Sequence, residues 1–102
     1  MSLQTSGGQH RIVNVSARIR RSKNQDVFIV RLDVPGLVEA ATFYTSPDDV
    51  QVPVSMNGHE VQGSVKALLL KEREDGKFVV LIPGDAVSYG PQMVIPGSMV
   101  QA

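Results

Sequence analysis

The amino-acid sequence predicts a mostly β protein, a small antiparallel barrel or sandwich of about six or seven short strands. Three observations support this fold class. Apolar and polar residues alternate along several stretches, turn-forming dipeptides separate those stretches, and the chain of 102 residues holds nine glycines and six prolines. Alternation is typical of strands with one buried face, and glycine and proline supply the turns between them.

The first predicted hairpin joins residues 11–20 to residues 26–34. Each strand carries an alternating apolar set: Val13, Val15, Ala17 and Ile19 in the first, and Phe28, Val30, Leu32 and Val34 in the second. A four-residue loop at 22–25 would place Ile19 opposite Phe28 and bring the two apolar faces together.

The second predicted hairpin turns at Asn57-Gly58. This dipeptide suits a type I′ turn, in which both central residues need φ > 0. A two-residue loop there pairs Val50 with Val65 and keeps the apolar residues on one face. Pro53 lacks an amide hydrogen, so we expect its strand to lie at a sheet edge or to turn that nitrogen outward.

The third predicted hairpin turns at Asp75-Gly76, and a two-residue loop would pair Leu69 with Ile82. Both faces of this hairpin are apolar near its base. The second apolar face, which we expect to be an interface, consists of Leu68, Leu70, Val79 and Leu81. Residues 64–76 also fit a helix that Ser64 caps and Gly76 ends, so strand and helix both stay open here.

Shorter elements complete the pattern. Residues 42–45 fit a short strand, and Ser46-Pro47 begins at most a single helical turn. Two further short strands are expected at 92–95 and 99–101. Pro-Gly pairs follow apolar strand ends at residues 83–84 and 96–97, which predicts a type II turn at each.

The domain organisation is simple. Residues 1–9 are small and polar and are expected to form a flexible tail, whereas residues 10–102 form a single β domain in the size range of OB and SH3-like folds. The chain has no cysteine, which excludes disulfides and thiolate chemistry. The absence of a long apolar stretch predicts no membrane association, and a cytoplasmic location is expected.

Nothing in the sequence favours an enzyme. It contains no G-x-S-x-G elbow, no phosphate-binding glycine loop and no H-E-x-x-H or EF-hand pattern. The histidines, His10 and His59, have no acidic cluster beside them. We therefore expect no catalytic residue, no metal site and no cofactor.

The charge of the chain is formally zero but unevenly placed. Six of its ten cationic residues lie in residues 1–31, together with a single acid, Asp26. We therefore expect this part of the chain to bind nucleic acid or an acidic partner. The expected binding residues are Arg18, Arg20, Arg21, Lys23, Arg31 and Tyr44. Val27 and Ile29 lie between these cations on the face opposite the core and are expected to be interface residues. A solvated hairpin whose long side chains cover them is the alternative interpretation.

Residues 33–84 resemble part of a PilZ-type barrel. A D-x-x-G turn at Asp33–Gly36 precedes short strands, then a G-x-V strand at Gly63–Val65 and a D-G-K-F hairpin at 75–78. The resemblance implies a small barrel. PilZ barrels that bind cyclic di-GMP carry R-x-x-x-R followed by [DN]-x-S-x-x-G, and neither motif occurs here, so nucleotide binding is not implied.

The sequence therefore predicts a non-enzymatic binding or assembly module that self-associates or binds a protein partner. Single-stranded nucleic acid, bound through the arginine-rich first hairpin, is the first alternative, and a degenerate PilZ-like barrel is the second.

Overall fold

The computed structural model describes residues 11–23, 26–52, 60–87 and 89–101. In these ranges the chain forms nine strands: β1 (Arg11–Arg21), β2 (Phe28–Leu32), β3 (Ala41–Thr45), β4 (Val50–Gln51), β5 (Val61–Glu72), β6 (Lys77–Leu81), β7 (Asp85–Ala86), β8 (Gln92–Pro96) and β9 (Val100–Gln101). Single turns of 3₁₀ helix at Pro47–Asp49 and Gly97–Met99 precede β4 and β9. No helix in the described ranges is long and apolar enough to cross a membrane.

All the strands belong to one antiparallel sheet that curls into a half-barrel, with the order β7-β3-β2-β1-β5-β6-β8. The two longest strands, β1 and β5, form its centre and pair from Arg11 opposite Leu69 to Ile19 opposite Val61. The short strand β4 adds to the edge of β5, and β9 adds to β1.

The core lies on the concave face of the half-barrel. Buried residues alternate with half-buried or exposed ones along β1. The buried apolar residues of the core are Val15, Ala17, Ile19, Val30, Leu32, Ala41, Phe43, Val65, Ala67, Leu69, Val80, Ile82, Met93 and Ile95. Burying a valine, leucine or isoleucine side chain stabilises a fold by about 1.5–3 kcal/mol, so this face supplies most of the driving force. The buried Thr45 hydroxyl donates to the Pro83 carbonyl at 3.2 Å, which satisfies it.

Gly63 allows β4 to lie close over the core. A Cβ atom at Gly63 would overlap the carbonyl oxygen of Gln51 and would stand 3.1 Å from Cδ1 of Ile19. Because Gly63 has no side chain, β4 can approach β5 closely enough to pair with its edge.

The predicted fold class is confirmed. Residues 61–72 are the strand β5 with alternating burial, so the helix alternative for 64–76 is wrong. The predicted pairing of Val50 with Val65 is also confirmed. The Asn57-Gly58 turn and Pro53 lie outside the described residues, as does the predicted tail.

The predicted register of the first hairpin is wrong by two residues. Ile19 lies opposite Val30, and the last pair before the loop is Arg21 with Phe28. The connection is therefore longer than expected, and the Ser22 hydroxyl donates to the Val27 carbonyl at 3.1 Å across its base. A shift of two residues preserves the inward and outward faces. Five of the predicted core residues are therefore buried, and the other three, Val13, Phe28 and Val34, are half-buried against the core.

The predicted register of the third hairpin is also wrong. Gly76 has φ +82°, and the Arg73 amide donates to the Lys77 carbonyl at 2.8 Å, which makes a three-residue loop. A glycine of positive φ at the end of such a loop is typical of a hairpin with a bulge. A second irregularity at Leu70 then leaves that residue unpaired, so Leu68 lies opposite Leu81.

The shorter elements follow the predictions with one exception. Strands β3, β8 and β9 form where expected, and the Ser46 hydroxyl accepts the Asp48 amide at the single helical turn. Gly84 has the positive φ of +103° that a type II turn needs. Pro96-Gly97 was expected to form the same turn, but Gly97 instead begins a 3₁₀ turn, and its amide donates to the Gly76 carbonyl at 3.0 Å.

Candidate functional site

An open groove of about 560 Å³ lies on the convex face, at the loop end of the β1–β2 hairpin. Three neighbouring strands and β7 build it. Its lining contains six of the side chains predicted for binding or interface roles, together with a serine and an aspartate: Arg20, Arg21, Ser22, Lys23, Val27, Ile29, Tyr44 and Asp85.

A single row of cross-strand neighbours forms the centre of the groove. Arg20 lies opposite Ile29, Ile29 opposite Tyr44, and Tyr44 opposite Asp85. Strand spacing makes this row about 14 Å long. Tyr44 is 43% exposed, which leaves much of its ring open to a ligand.

Gly84 positions Asp85 in this row. Its Cβ would overlap the carbonyl oxygen of Tyr44, and its φ of +103° is one that other residues rarely adopt. A glycine at this position therefore lets β7 pair with β3, and that pairing places the Asp85 carboxylate at the end of the groove.

The groove is basic. Arg20, Arg21 and Lys23 form no ion pair with any carboxylate of the described ranges. Asp85 is the one carboxylate among the lining residues, so three cations face one anion. Unpaired cations around an apolar floor favour a ligand that is anionic and also has a flat or apolar part.

Arg18 and Arg31 do not line this groove. They form a network of ion pairs with Asp33 and Glu60. They face each other across β1 and β2, an arrangement of like charges that is unfavourable without counter-charges. Glu60 bridges them: its Oε1 accepts from Arg18 at 2.8 Å, and its Oε2 lies 3.4 Å from Arg31 Nη1. Arg18 Nη2 also donates to Asp33 Oδ1 at 2.6 Å.

The hydrogen bond to Asp33, with the attraction of Glu60 and Asp33, raises the pKa of Arg18 above its ordinary value. Arg18 Nε lies beside Asp33 Oδ2 at ion-pair distance without making a hydrogen bond. Because its charge is shared between two carboxylates, Arg18 has little left to offer a ligand.

The predicted interface on the third hairpin occupies the other end of the convex face. Leu68 and Leu81 lie opposite each other, and Val79 lies between Lys71 and Val94 on the neighbouring strands. Leu70 is the unpaired residue of the bulge and takes no part in these rows.

Several side chains of the groove and of the Arg18 network carry little signal in the sequence. Asp85 sits in a two-residue strand, which is too short for any alternation to mark. Glu60 joins Arg18 from 42 positions away, so only the fold brings them together.

The residues that the structure describes include no cluster of three or more histidine, cysteine, aspartate or glutamate side chains suited to a metal ion. No protein family, curated protein or solved structure matches this chain. The resemblance to PilZ barrels therefore stays a prediction, and the functional argument rests on the groove itself.

Proposed function

We propose that this chain is a non-enzymatic binding module that holds single-stranded nucleic acid in the basic groove. The observation that carries the proposal is the row of Arg20, Ile29 and Tyr44, in which an unpaired cation and an exposed aromatic ring flank an apolar floor. Proteins that bind single strands combine cations for the phosphates with aromatic rings on which bases stack.

The groove suits a single strand better than an acidic peptide. Arg20, Arg21 and Lys23 would serve either ligand, because both carry repeated negative charge. The exposed ring of Tyr44 beside Ile29 and Val27 offers a surface for a base, and an acidic peptide has no group that needs it. A duplex keeps its bases stacked inside, so it cannot present one to Tyr44.

Asp85 makes the two ends of the groove different in charge. Its carboxylate repels phosphates, so the nucleic-acid backbone runs along the Arg21 and Lys23 end of the groove. At the other end, the Asp85 carboxylate can accept a hydrogen bond from a base amino group beside Tyr44. A cytoplasmic location and the absence of catalysis and cofactors, both expected from the sequence, belong to the same proposal.

Fluorescence anisotropy with a labelled single-stranded oligonucleotide of about 15 nucleotides tests the proposal. We expect complexes at low salt whose association constant falls with salt, with a log–log slope near −2, because each of three phosphate contacts contributes about −0.7. Arg20→Glu is expected to weaken binding at low salt roughly tenfold, since it reverses a charge at the phosphate path.

Lys77→Glu is the matched control, because it makes the same charge reversal on an exposed residue at the far hairpin. Binding of Lys77→Glu should match that of the unmodified chain. The proposal fails if no complex forms at low salt, or if both variants weaken binding equally. Binding of polyglutamate in place of the oligonucleotide would instead assign the groove to an acidic protein.

A further inference from the structure

One end of the basic groove differs chemically from the rest, because it holds an aromatic ring beside a carboxylate. Asp85 ends the cross-strand row and lies directly opposite Tyr44. Side chains in such a pair share one face of the sheet, with their Cβ atoms about 5 Å apart. A base that stacks on the exposed ring of Tyr44 therefore has the Asp85 carboxylate beside one of its edges.

The Asp85 carboxylate is not part of an ion-pair network in the fold. Asp85 is exposed and forms no ion pair with any cation of the described ranges. Strand β7 is held against β3 by backbone pairing, and Gly84 supplies the turn before it. An unpaired carboxylate in a basic groove lowers the general attraction for phosphates. Its oxygens are therefore available to the edge of a bound base.

The common bases differ in what they offer to a carboxylate. An ionised carboxylate only accepts hydrogen bonds, and its two oxygens can accept a parallel pair of them from one partner. Guanine carries two adjacent donors, N1–H and the N2 amino group, on the edge that an unpaired base exposes. Adenine, cytosine, thymine and uracil place a donor beside a lone pair, which the second carboxylate oxygen would repel. Guanine is therefore the base that matches Asp85.

We infer that the groove binds single strands preferentially at guanine. The base stacks on Tyr44, and its N1–H and N2 amino group donate to the two oxygens of Asp85. The phosphates of the same strand lie toward Arg21 and Lys23, away from the carboxylate that would repel them. The inference rests on the proposed function, since it assigns the base that the same groove receives.

The preference for guanine is expected to be modest. A bidentate pair between a side chain and a base discriminates against other bases by about five- to 150-fold. Asp85 is exposed, so water competes for both the carboxylate and the base. We therefore expect the lower end of this range, a preference of about fivefold.

Calorimetric titration at low salt tests the inference, with thymidine strands of about six nucleotides that differ only in a single central base. Strands this short offer few alternative registers. The strand with a central guanine should bind about fivefold more tightly than those with adenine, cytosine or thymine. Hypoxanthine lacks the N2 amino group and should lose the preference. The base 7-deazaguanine differs from guanine only at the opposite edge and should retain it.

Asp85→Asn should change the two affinities in opposite directions. It should weaken binding of the guanine strand about fivefold and strengthen binding of the thymidine strand, because it removes both the paired acceptor and a charge that repels phosphates. Glu74→Gln is the matched control, because it removes a carboxylate at the hairpin around Lys77 that has no ion pair with a described residue. This variant should keep the preference for guanine.

The outcomes separate this inference from the proposed function. Equal affinity for all strands, tighter binding of the adenine or cytosine strand, or a guanine preference that survives Asp85→Asn would overturn the inference and leave the proposed function standing. Absence of binding by every short strand would also overturn the inference, and the proposed function falls with it only if the longer oligonucleotide fails to bind as well.

Discussion

At the scale of single residues, Arg18 and Arg20 lie only two positions apart on β1 but have different environments. Arg18 is held in an ion-pair network, whereas Arg20 is open to a ligand. Arg18 and Arg20 both lie on the convex face of β1, but only Arg18 has carboxylates of the described ranges within ion-pair distance. Asp33 follows β2 and Glu60 precedes β5, and both lie beside the Arg18 row. Arg20 stands one row further, opposite the apolar Ile29, and keeps its charge unpaired among the described residues.

Tyr44 is the residue whose role is most specific to nucleic acid. Replacing it by leucine removes the flat ring but keeps an apolar side chain, so Tyr44→Leu should cost about 1–3 kcal/mol of binding free energy, a loss of roughly five- to 150-fold. The salt slope should not change, because no charge is altered. Anisotropy titrations at two salt concentrations measure both quantities.

Tyr44→Phe is the control for this substitution and should bind like the unmodified chain, since it keeps the ring. Equal affinity for Tyr44→Leu and the unmodified chain would show that no base stacks on Tyr44.

At the scale of secondary-structure elements, Glu60 ties β1 and β2 to the start of β5. Glu60→Gln removes the negative charge between Arg18 and Arg31, which face each other. We expect a loss of about 1 kcal/mol in the free energy of unfolding, because the network is only partly shielded from solvent. Urea unfolding measures this loss, and oligonucleotide affinity should stay the same.

Glu39→Gln provides the comparison, because Glu39 is exposed and has no ion pair with any described residue. Its stability should equal that of the unmodified chain. If the two variants unfold at the same urea concentration, the network contributes nothing to stability.

The elements also show how far a sequence pattern can specify a sheet. Alternation has a period of two residues, so it determines which side chains point inward. It does not determine which residue of the neighbouring strand lies opposite, because a shift of the strand by two residues keeps the same side chains inward. This is why the buried set of the first hairpin is predictable although Ile19 pairs with Val30 and not with Phe28. The bulge at Leu70 breaks the period itself, and no pattern in the run of leucines marks its place.

The candidate site was predictable to the same extent. The sequence predicts Arg20, Lys23 and Tyr44 as binding residues and Ile29 as an interface residue, and the groove contains all four. Asp85 was not predictable, because only the pairing of β7 with β3 brings it there. The ion pair between Arg18 and Glu60 depends on a contact between segments that are distant in the sequence, and local alternation carries no information about such a contact.

At the scale of the whole molecule, the half-barrel carries two separate convex surfaces, which lie toward opposite ends of the long strand β1. The concave face holds the core, and the convex face carries the basic groove near Arg20 and, near the other end of β1, the apolar side chains of Ile12, Leu68 and Leu81. A formal net charge of zero conceals this division, because the acids lie mostly beyond residue 31.

An NMR titration of the isotope-labelled chain with a single-stranded oligonucleotide tests the central claim, the role of the groove, most directly. At low salt, the largest amide shifts should fall on residues 20–23, Ile29, Tyr44 and Asp85, and they should fade as salt is raised. The hairpin around Lys77 should not respond. Shifts centred on that hairpin or on the surface around Ile12 and Leu68, or no shifts at saturating oligonucleotide, would contradict the assignment of the groove.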